Sequence, residues 1–216
     1  MGSGLPGSTG AAAFRHWAST LLDPIFRVSS RYAPTDLVPT SRAGLGGPHR
    51  VRALVIDDLR AMANAARKAG APLAIVSAYR SYSTQGSVFG SWSRVLGRSS
   101  ALLVSARPGH SEHQLGTTID FTSPGTGKPW HTRDWGRTKA GAWLARNSWK
   151  FGFIMSYPPN HTSVTCYRYE PWHFRYFGRA VAAAIHASGL TSREWLWRFP
   201  GGLVPAPRPS PTSAPG

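Results

Sequence analysis

The sequence predicts an α+β fold in one domain, with a small antiparallel sheet and flanking helices. The chain has 216 residues, enough for one ordinary domain with its own core and too few for two large ones. Hydrophobic residues make up 41% of it and aromatic residues 12%, which is sufficient apolar material for a packed core. Helical periodicity alternates along the chain with a few short apolar runs, and this alternation favours the α+β class.

Three segments show the three- and four-residue apolar spacing of amphipathic helices, and each ends at a glycine. They cover residues 51–70, 138–152 and 177–189. Thr191 and Glu194 match the T-x-x-E pattern of a capping box, which predicts that a further short helix begins there. These segments supply the helices expected to flank the sheet.

Short apolar runs between the helices predict the strands. Two of them are LAIVSA at residues 73–78 and TTIDF at residues 117–121, and a third is expected over residues 153–157. Residues 81–108 and 123–134 are polar and rich in Gly and Ser. We expect these two segments to be loops that form the walls of a cleft.

Both ends of the chain have the composition of flexible segments. The first residues are rich in Gly, Ala and Ser, and the last 19 residues contain six prolines. The sequence therefore predicts a flexible segment (residues 1–22), a folded domain (23–190) and a short helix with a proline-rich tail (191–216). The sequence contains no run of 18 apolar residues, so no membrane span is predicted. No signal peptide is expected either, because the start of the chain has no basic region and no long apolar region.

The chain is strongly basic. It has 25 Lys and Arg residues, 21 of them Arg, against 9 acidic residues, for a net charge of +16. This charge favours a polyanionic partner, namely nucleic acid, an anionic membrane surface or the acidic polymers of a cell wall. A GC-rich genome would also favour Arg without a functional reason. The absence of a recognised motif or a long basic helix argues against nucleic acid.

The single cysteine limits the chemistry of the chain. Cys166 can form neither an internal disulfide nor a CxxC zinc site. We expect it to be a small buried residue rather than a nucleophile.

Two short stretches place histidines beside carboxylates: PGHSEHQLGTTIDF (residues 108–121) and YEPWHF (residues 169–174). Three ligands drawn from imidazole and carboxylate, with a fourth position for water, are typical of catalytic zinc sites. His113, Asp120 and His173 could supply such a set, with Glu170 as a general base. On spacing alone, ordinary hydrogen-bonded residues remain an equal alternative.

The spacing between Glu170 and His173 adds a constraint. Residues three apart on a straight strand point to opposite faces, roughly 10 Å apart. Pro171 lies between them, removes a backbone donor and favours a bend that could turn both side chains toward one pocket.

The chain from residue 23 to residue 189 resembles the VanY-type D-alanyl-D-alanine carboxypeptidases and related zinc peptidoglycan peptidases. The resemblance rests on four stretches in order: RYAPTDLVPT, SAYRSYSTQ, PGHSEHQLGTTIDF and YEPWHFRY. The family pattern SxHxxGxxxD is matched by Ser111, His113, Gly116 and Asp120, and its ExxH by Glu170 and His173. Thr117 and Thr118 depart from the apolar or small residues that the family usually has before the aspartate.

The resemblance implies one zinc-peptidase domain whose metal ligands are His113, Asp120 and His173 and whose catalytic base is Glu170. Each of the other site residues also has an implied role. Arg80, Gln85 and Ser111 would bind the substrate, Arg80 also stabilising the oxyanion and Ser111 also supporting the site next to the ligand histidine. Glu112 is interpreted as a residue behind the ligands or a solvated one, and His131 with Asp134 is a weaker candidate for a second metal site.

The function implied is zinc-dependent hydrolysis of peptide bonds in peptidoglycan stem peptides, most simply release of the terminal D-Ala. A peptidoglycan endopeptidase of the autolysin or phage endolysin type is an alternative. A non-catalytic cell-wall-binding module is another, although such a module would gain nothing from keeping Glu170. We expect action outside the cytoplasm or at the cell wall, no nucleic-acid partner, and a monomer.

Overall fold

Six short strands form two antiparallel sheets within residues 17–199, the part of the chain that a computed structural model describes. The smaller sheet pairs two strands, β1 (Leu37–Pro39) and β2 (Arg50–Arg52). The larger sheet has the order β3-β4-β6-β5. Its strands are β3 (Ala74–Ser77), β4 (Thr118–Thr122), β5 (Phe153–Met155) and β6 (His173–Tyr176).

Helices pack around the larger sheet, which confirms the predicted α+β class. They are α1 (Ile56–Lys68), α2 (Tyr82–Leu96), α3 (Arg98–Ala101), α4 (Lys139–Asn147), α5 (Thr162–Thr165), α6 (Arg179–Ser188) and α7 (Ser192–Arg198). The predicted strands and three of the predicted helices are found where the sequence placed them. Helix α7 begins with the predicted capping box, in which the side chains of Thr191 and Glu194 each accept a hydrogen bond from the other residue's backbone.

The core lies between α1 and the larger sheet. Leu59 and Met62, one turn apart on α1, belong to the same fully buried cluster as Ile119, Phe121 and Phe174 of the sheet. Side chains alternate between the faces of a strand, so the residues between these apolar positions point away from α1. This alternation positions the polar residues of β4 and β6 on the other face of the sheet.

The first helix begins later than the sequence predicted. Val51 lies in β2, where it pairs with Val38, and a 3-10 turn over Ala53–Val55 precedes Ile56. The apolar spacing continued through this segment because Val51, Val55 and Ile56 belong to the same core cluster. The predicted end at Gly70 is correct to within two residues, and its φ is +68°.

The prediction of a loop over residues 81–108 is wrong for its first half. Helix α2 occupies Tyr82–Leu96, and the Ser81 side chain caps it by accepting a hydrogen bond from the Thr84 backbone N–H. The helix has a weak apolar pattern because Phe89 is its only large buried apolar residue. Serines occupy several of its other positions, so the segment lacks the apolar periodicity from which a helix is predicted.

Residues 17–22, which the sequence assigned to the flexible N-terminal segment, pack on the folded domain. Trp17 stacks on Tyr176 with ring centroids 5.4 Å apart, and Leu22 is buried. The rest of that segment and the proline-rich tail lie outside the described residues. Within residues 17–199, no helix is long and apolar enough to cross a bilayer.

Candidate active site

The predicted metal ligands come together on one face of the sheet from two parts of the chain, residues 113–120 and strand β6. Asp120 lies in the middle of β4, and the antiparallel register places it opposite His173, the first residue of β6. His113 lies in the 3-10 turn Glu112–Leu115, just before β4. This turn ends at Gly116, where φ is +73° and a Cβ would lie 3.0 Å from neighbouring side chains, so only glycine fits.

The ligand atoms of the three residues lie within 4.8 Å of one another. His113 Nε2 is 3.1 Å from Asp120 Oδ2, and His173 Nδ1 is 3.1 Å from Asp120 Oδ1. The other nitrogen of each ring is engaged away from the site. His113 Nδ1 lies 2.6 Å from the Ala78 carbonyl oxygen, and His173 Nε2 lies 3.0 Å from Glu112 Oε2. The two rings therefore present His113 Nε2 and His173 Nδ1 to a common point.

Two of these atoms are left unsatisfied. His113 Nε2 and Asp120 Oδ1 are buried and have no hydrogen-bond partner among the described residues. Unpaired buried polar atoms are costly unless a ligand satisfies them. Two imidazoles and a carboxylate are ligands that catalytic zinc takes, so the residues fit a zinc ion.

Within residues 17–199, this is the only group of three or more His, Cys, Asp or Glu residues placed to hold a metal. His131 and Asp134 belong to no such group, so the structure does not support the second metal site. Cys166 is partly buried rather than fully buried, and its φ of +67° places it at the end of α5.

Glu170 reaches the same point because the chain bends before β6. The His173 backbone N–H donates to the Glu170 carbonyl oxygen at 3.1 Å, which closes a turn around Pro171. As a result Glu170 Oε2 lies 3.4 Å from His173 Nδ1, although only three residues separate them. Burial raises the pKa of Glu170 to about 7, with Asp120 and Glu112 acting in the same direction and His173 and Arg80 against it.

The charges around the ligands leave the two histidines in different states. Burial and the nearby Arg80 lower the pKa of His113 to about 4. Burial also acts against protonation of His173, but the adjacent carboxylates of Asp120 and Glu112 prevail and raise its pKa to about 10. A proton on His173 thus offsets the surrounding carboxylates, and a bound cation would replace it.

Arg80 follows β3 and extends over the same face. Its Nη1 donates to Ser77 Oγ at 2.8 Å and lies 3.5 Å from Asp120 Oδ2, while its Nε donates to Gln85 Oε1 at 2.9 Å. Within the described residues, Nη2 has no hydrogen bond. The guanidinium is therefore fixed through Nε and Nη1, and Arg80 lines the groove described below.

Gln85, which the resemblance placed against the substrate, is fully buried. Its amide nitrogen donates to the Ala106 carbonyl oxygen at 2.6 Å, and its amide oxygen accepts from Arg80. The residue lies behind Arg80 rather than in the groove, because α2 packs its first turn against the segment that follows α3. This contact depends on a helix that the sequence did not predict.

A groove of about 870 Å³ opens in front of these side chains. Ser111 and His113 both line it. The rest of its wall includes aromatic and cationic side chains, namely Lys128, Trp130, His131, Tyr157, Arg168 and Trp172. Tyr157 is mostly buried, with its ring centroid 4.6 Å from that of His173. Sequence reasoning missed Tyr157, because its position two residues after β5 gave no chemical signal.

Comparison with known proteins agrees with this geometry. The family model described as VanY, D-alanyl-D-alanine carboxypeptidase, matches residues 48–179. The chain belongs to the VanY family. The predicted family and fold are therefore confirmed.

Two curated relatives are longer than this chain. The chain is 36% identical over 180 residues to YodJ of Bacillus subtilis (strain 168), covering 82% of this chain and 66% of YodJ. It is 42% identical over 91 residues to a D-alanyl-D-alanine carboxypeptidase of Enterococcus faecalis, covering 42% of this chain and 31% of that enzyme. The chain thus spans less than two thirds of the length of these curated relatives.

Two solved structures share the fold closely. The LdcB LD-carboxypeptidase superposes with a TM-score of 0.74 at 34% identity, covering 83% of this chain and 85% of that one. The D,D-pentapeptidase VanY of a VanB-type cassette, solved with Zn(II), gives a TM-score of 0.71 at 28% identity, covering 83% of this chain and 99% of that one.

Proposed function

We propose that this chain is a zinc-dependent carboxypeptidase that removes the terminal D-Ala from peptidoglycan stem peptides. One observation carries the proposal: three ligand atoms lie within 4.8 Å of one another beside Glu170 and Arg80, in one groove. A VanY-family structure with zinc and another with D-alanine-D-alanine support the metal and the substrate.

His113, Asp120 and His173 hold the zinc ion in this proposal, through Nε2, a carboxylate oxygen and Nδ1. Zinc in such a set lowers the pKa of a bound water and polarises a carbonyl group. Asp120 is suited to this role because the two histidines keep the pKa of its carboxyl well below the usual range, despite its burial. It is therefore a carboxylate at every pH at which the enzyme would work.

Glu170 serves as the general base. It accepts a proton from the attacking water as the new C–O bond forms, and it delivers that proton to the leaving amine as the C–N bond breaks. Its distance of 3.4 Å from His173 Nδ1, the nitrogen that would face the metal, supports a role beside the metal rather than behind a ligand.

Arg80 binds the terminal carboxylate of the substrate or the oxygen that gains charge in the transition state. A guanidinium presents a planar pair of donors that fits a carboxylate. Gln85 acts through Arg80 by fixing its Nε, and Ser111 contributes a hydroxyl to the wall beside His113.

A replacement of Arg80 tests this assignment. Arg80→Lys keeps the charge but loses the planar pair of donors, so we expect kcat/KM to fall roughly 10- to 100-fold, as for loss of a charged hydrogen bond. Zinc content should not change. The wild-type enzyme should strongly prefer a peptide with a free C-terminal carboxylate over its C-terminal amide, and the variant should lose most of that preference.

Arg168→Lys is a matched control, because Arg168 lines the same groove but is exposed. Its kinetics should remain close to those of the wild type. Equal kcat/KM values of the wild type for the carboxylate and amide peptides would show that Arg80 does not bind the terminal carboxylate of the substrate.

An L,D-carboxypeptidase is a second candidate, because the LdcB structure is more similar in sequence than the VanY structure, at 34% against 28% identity. Mass spectrometry of products from a defined muropeptide mixture separates the candidates. Loss of one Ala from pentapeptides supports the D,D activity, loss of Ala from tetrapeptides supports the L,D activity, and cleavage of crosslinks supports an endopeptidase. Unchanged muropeptides in the presence of zinc would contradict all three.

We further propose that the chain acts outside the cytoplasm, where its substrate is assembled, and that it works as a monomer. The VanY family membership supports a peptidoglycan substrate. The net charge of +16 suits the anionic polymers of a cell wall.

A further inference from the structure

Glu112 is a buried carboxylate that the reaction described above does not use. Only 4% of the residue is exposed. Its Oε2 is 3.0 Å from His173 Nε2 and accepts a hydrogen bond from Ser156 Oγ at 2.6 Å, while its Oε1 accepts from Arg175 Nη1 at 3.0 Å. Every contact of this carboxylate therefore leads to β6 or to the residue that follows β5.

The contact with His173 determines which ring nitrogen faces the metal. A carboxylate hydrogen-bonded to one imidazole N–H fixes the ring orientation and leaves the lone pair on the other nitrogen. An ionised carboxylate can only accept, so Glu112 requires the N–H on Nε2, and Nδ1, 3.1 Å from Asp120 Oδ1, is the nitrogen left to face a metal. Glu112 and His113 are adjacent in the chain and serve opposite sides of the site, His113 as a ligand and Glu112 behind the other histidine.

Arg175 holds Glu112 in turn. It lies two residues after His173 on β6, on the same face of the strand, and it is fully buried. Its Nη2 donates to the backbone carbonyl oxygens of Trp17 at 3.0 Å and Thr20 at 2.7 Å. The N-terminal residues are thus connected to the metal-facing histidine through two buried charged side chains.

We propose that Glu112 is a positioning residue that orients His173 for zinc, and that Arg175 and the backbone of residues 17–20 hold Glu112 in place. The proposal rests on the metal centre of the proposed function. It extends that centre to an N-terminal segment that lies outside the motifs of the family resemblance.

Glu112→Gln tests the role of the carboxylate, since it keeps the volume and removes the charge. We expect zinc affinity, measured by competition with a chelator, to fall about 10- to 100-fold, as when other outer carboxylate partners of metal-binding histidines are changed. The visible absorption spectrum of the Co²⁺-substituted protein should change as well, because the ligand field at His173 changes.

Asp58→Asn is the matched control. Asp58 also pairs with an arginine and with a residue of β6, because its oxygens lie 2.6 Å from Arg179 Nε and 2.6 Å from the Tyr176 hydroxyl. The control should lose stability yet keep the zinc affinity and the Co²⁺ spectrum of the wild type. A folded Glu112→Gln protein with unchanged zinc affinity would overturn the positioning role and leave the proposed function intact.

A measurement on the wild-type chain covers the case in which Glu112→Gln does not fold. In zinc-loaded protein labelled with ¹⁵N-histidine, NMR should show His173 protonated at Nε2, with a downfield N–H that exchanges slowly. An Nε2–H that exchanges as fast as those of exposed imidazoles would overturn the role. A wild-type chain that binds no zinc would overturn the proposed metal centre and this inference with it.

Discussion

Glu170→Gln is expected to retain zinc and the fold while losing about 10² to 10⁴ in turnover, the usual cost of removing a general base. The amide keeps the volume of the side chain and can still hydrogen-bond a water, but it cannot accept the proton. Zinc is retained because the ligand atoms belong to His113, Asp120 and His173. Zinc stoichiometry and turnover on a peptide ending in D-Ala-D-Ala, measured on the same preparation, test both parts.

Glu194→Gln provides the control for this change. Glu194 belongs to the capping box of α7 and does not line the groove. Its replacement should leave both zinc and turnover unchanged. Near-normal turnover in Glu170→Gln would refute the role of base, and loss of zinc in that variant would make Glu170 a ligand instead.

Two of the proposed ligands, His113 and Asp120, could be predicted from the sequence because their arrangement is local. His113 and Asp120 are joined by a tight turn and one short strand, so their spacing nearly fixes their separation. The bend at Pro171 was also predictable, since proline at that position disfavours a straight strand. What the spacing could not supply was the pairing of Asp120 with His173, which is set by the register of β4 and β6.

The supporting residues could not be predicted in the same way. Glu112 looked as much like a solvated residue as a buried one, because its partners Ser156 and Arg175 are 44 and 63 residues away. Gln85 was expected to contact the substrate, but it lies on α2 and is fully buried. Both roles depend on long-range packing, which leaves no periodic or local signal in a single sequence.

The buried charges of the site illustrate why these supports are needed. Asp120, Glu112 and Glu170 lie close together, against Arg80 and Arg175. Arg175 keeps the pKa of Glu112 near 2 despite its burial, with His173 and Ser156 adding to the effect. Glu112 is therefore a permanent acceptor, which a residue that orients a metal-facing imidazole requires.

His173→Ala is expected to lose zinc and activity together, in contrast to Glu170→Gln three residues before it. The substitution removes Nδ1 from the ligand set and also removes the partner of Glu112, so two ligands remain where catalytic zinc sites use three. Elemental analysis after dialysis should show zinc falling from about one per chain, as expected for this ligand set, to a small fraction of that. Turnover should fall at least as far as in Glu170→Gln.

His131→Ala separates this effect from the general loss of a histidine in the groove. His131 lines the same groove but belongs to no metal-binding cluster among residues 17–199, so its replacement should keep the zinc. Circular dichroism should show that His173→Ala remains folded, because its loss of metal is otherwise explained by unfolding. Full zinc occupancy in folded His173→Ala would exclude His173 as a ligand. Loss of zinc in His131→Ala would show that the metal site includes His131 and differs from the one proposed.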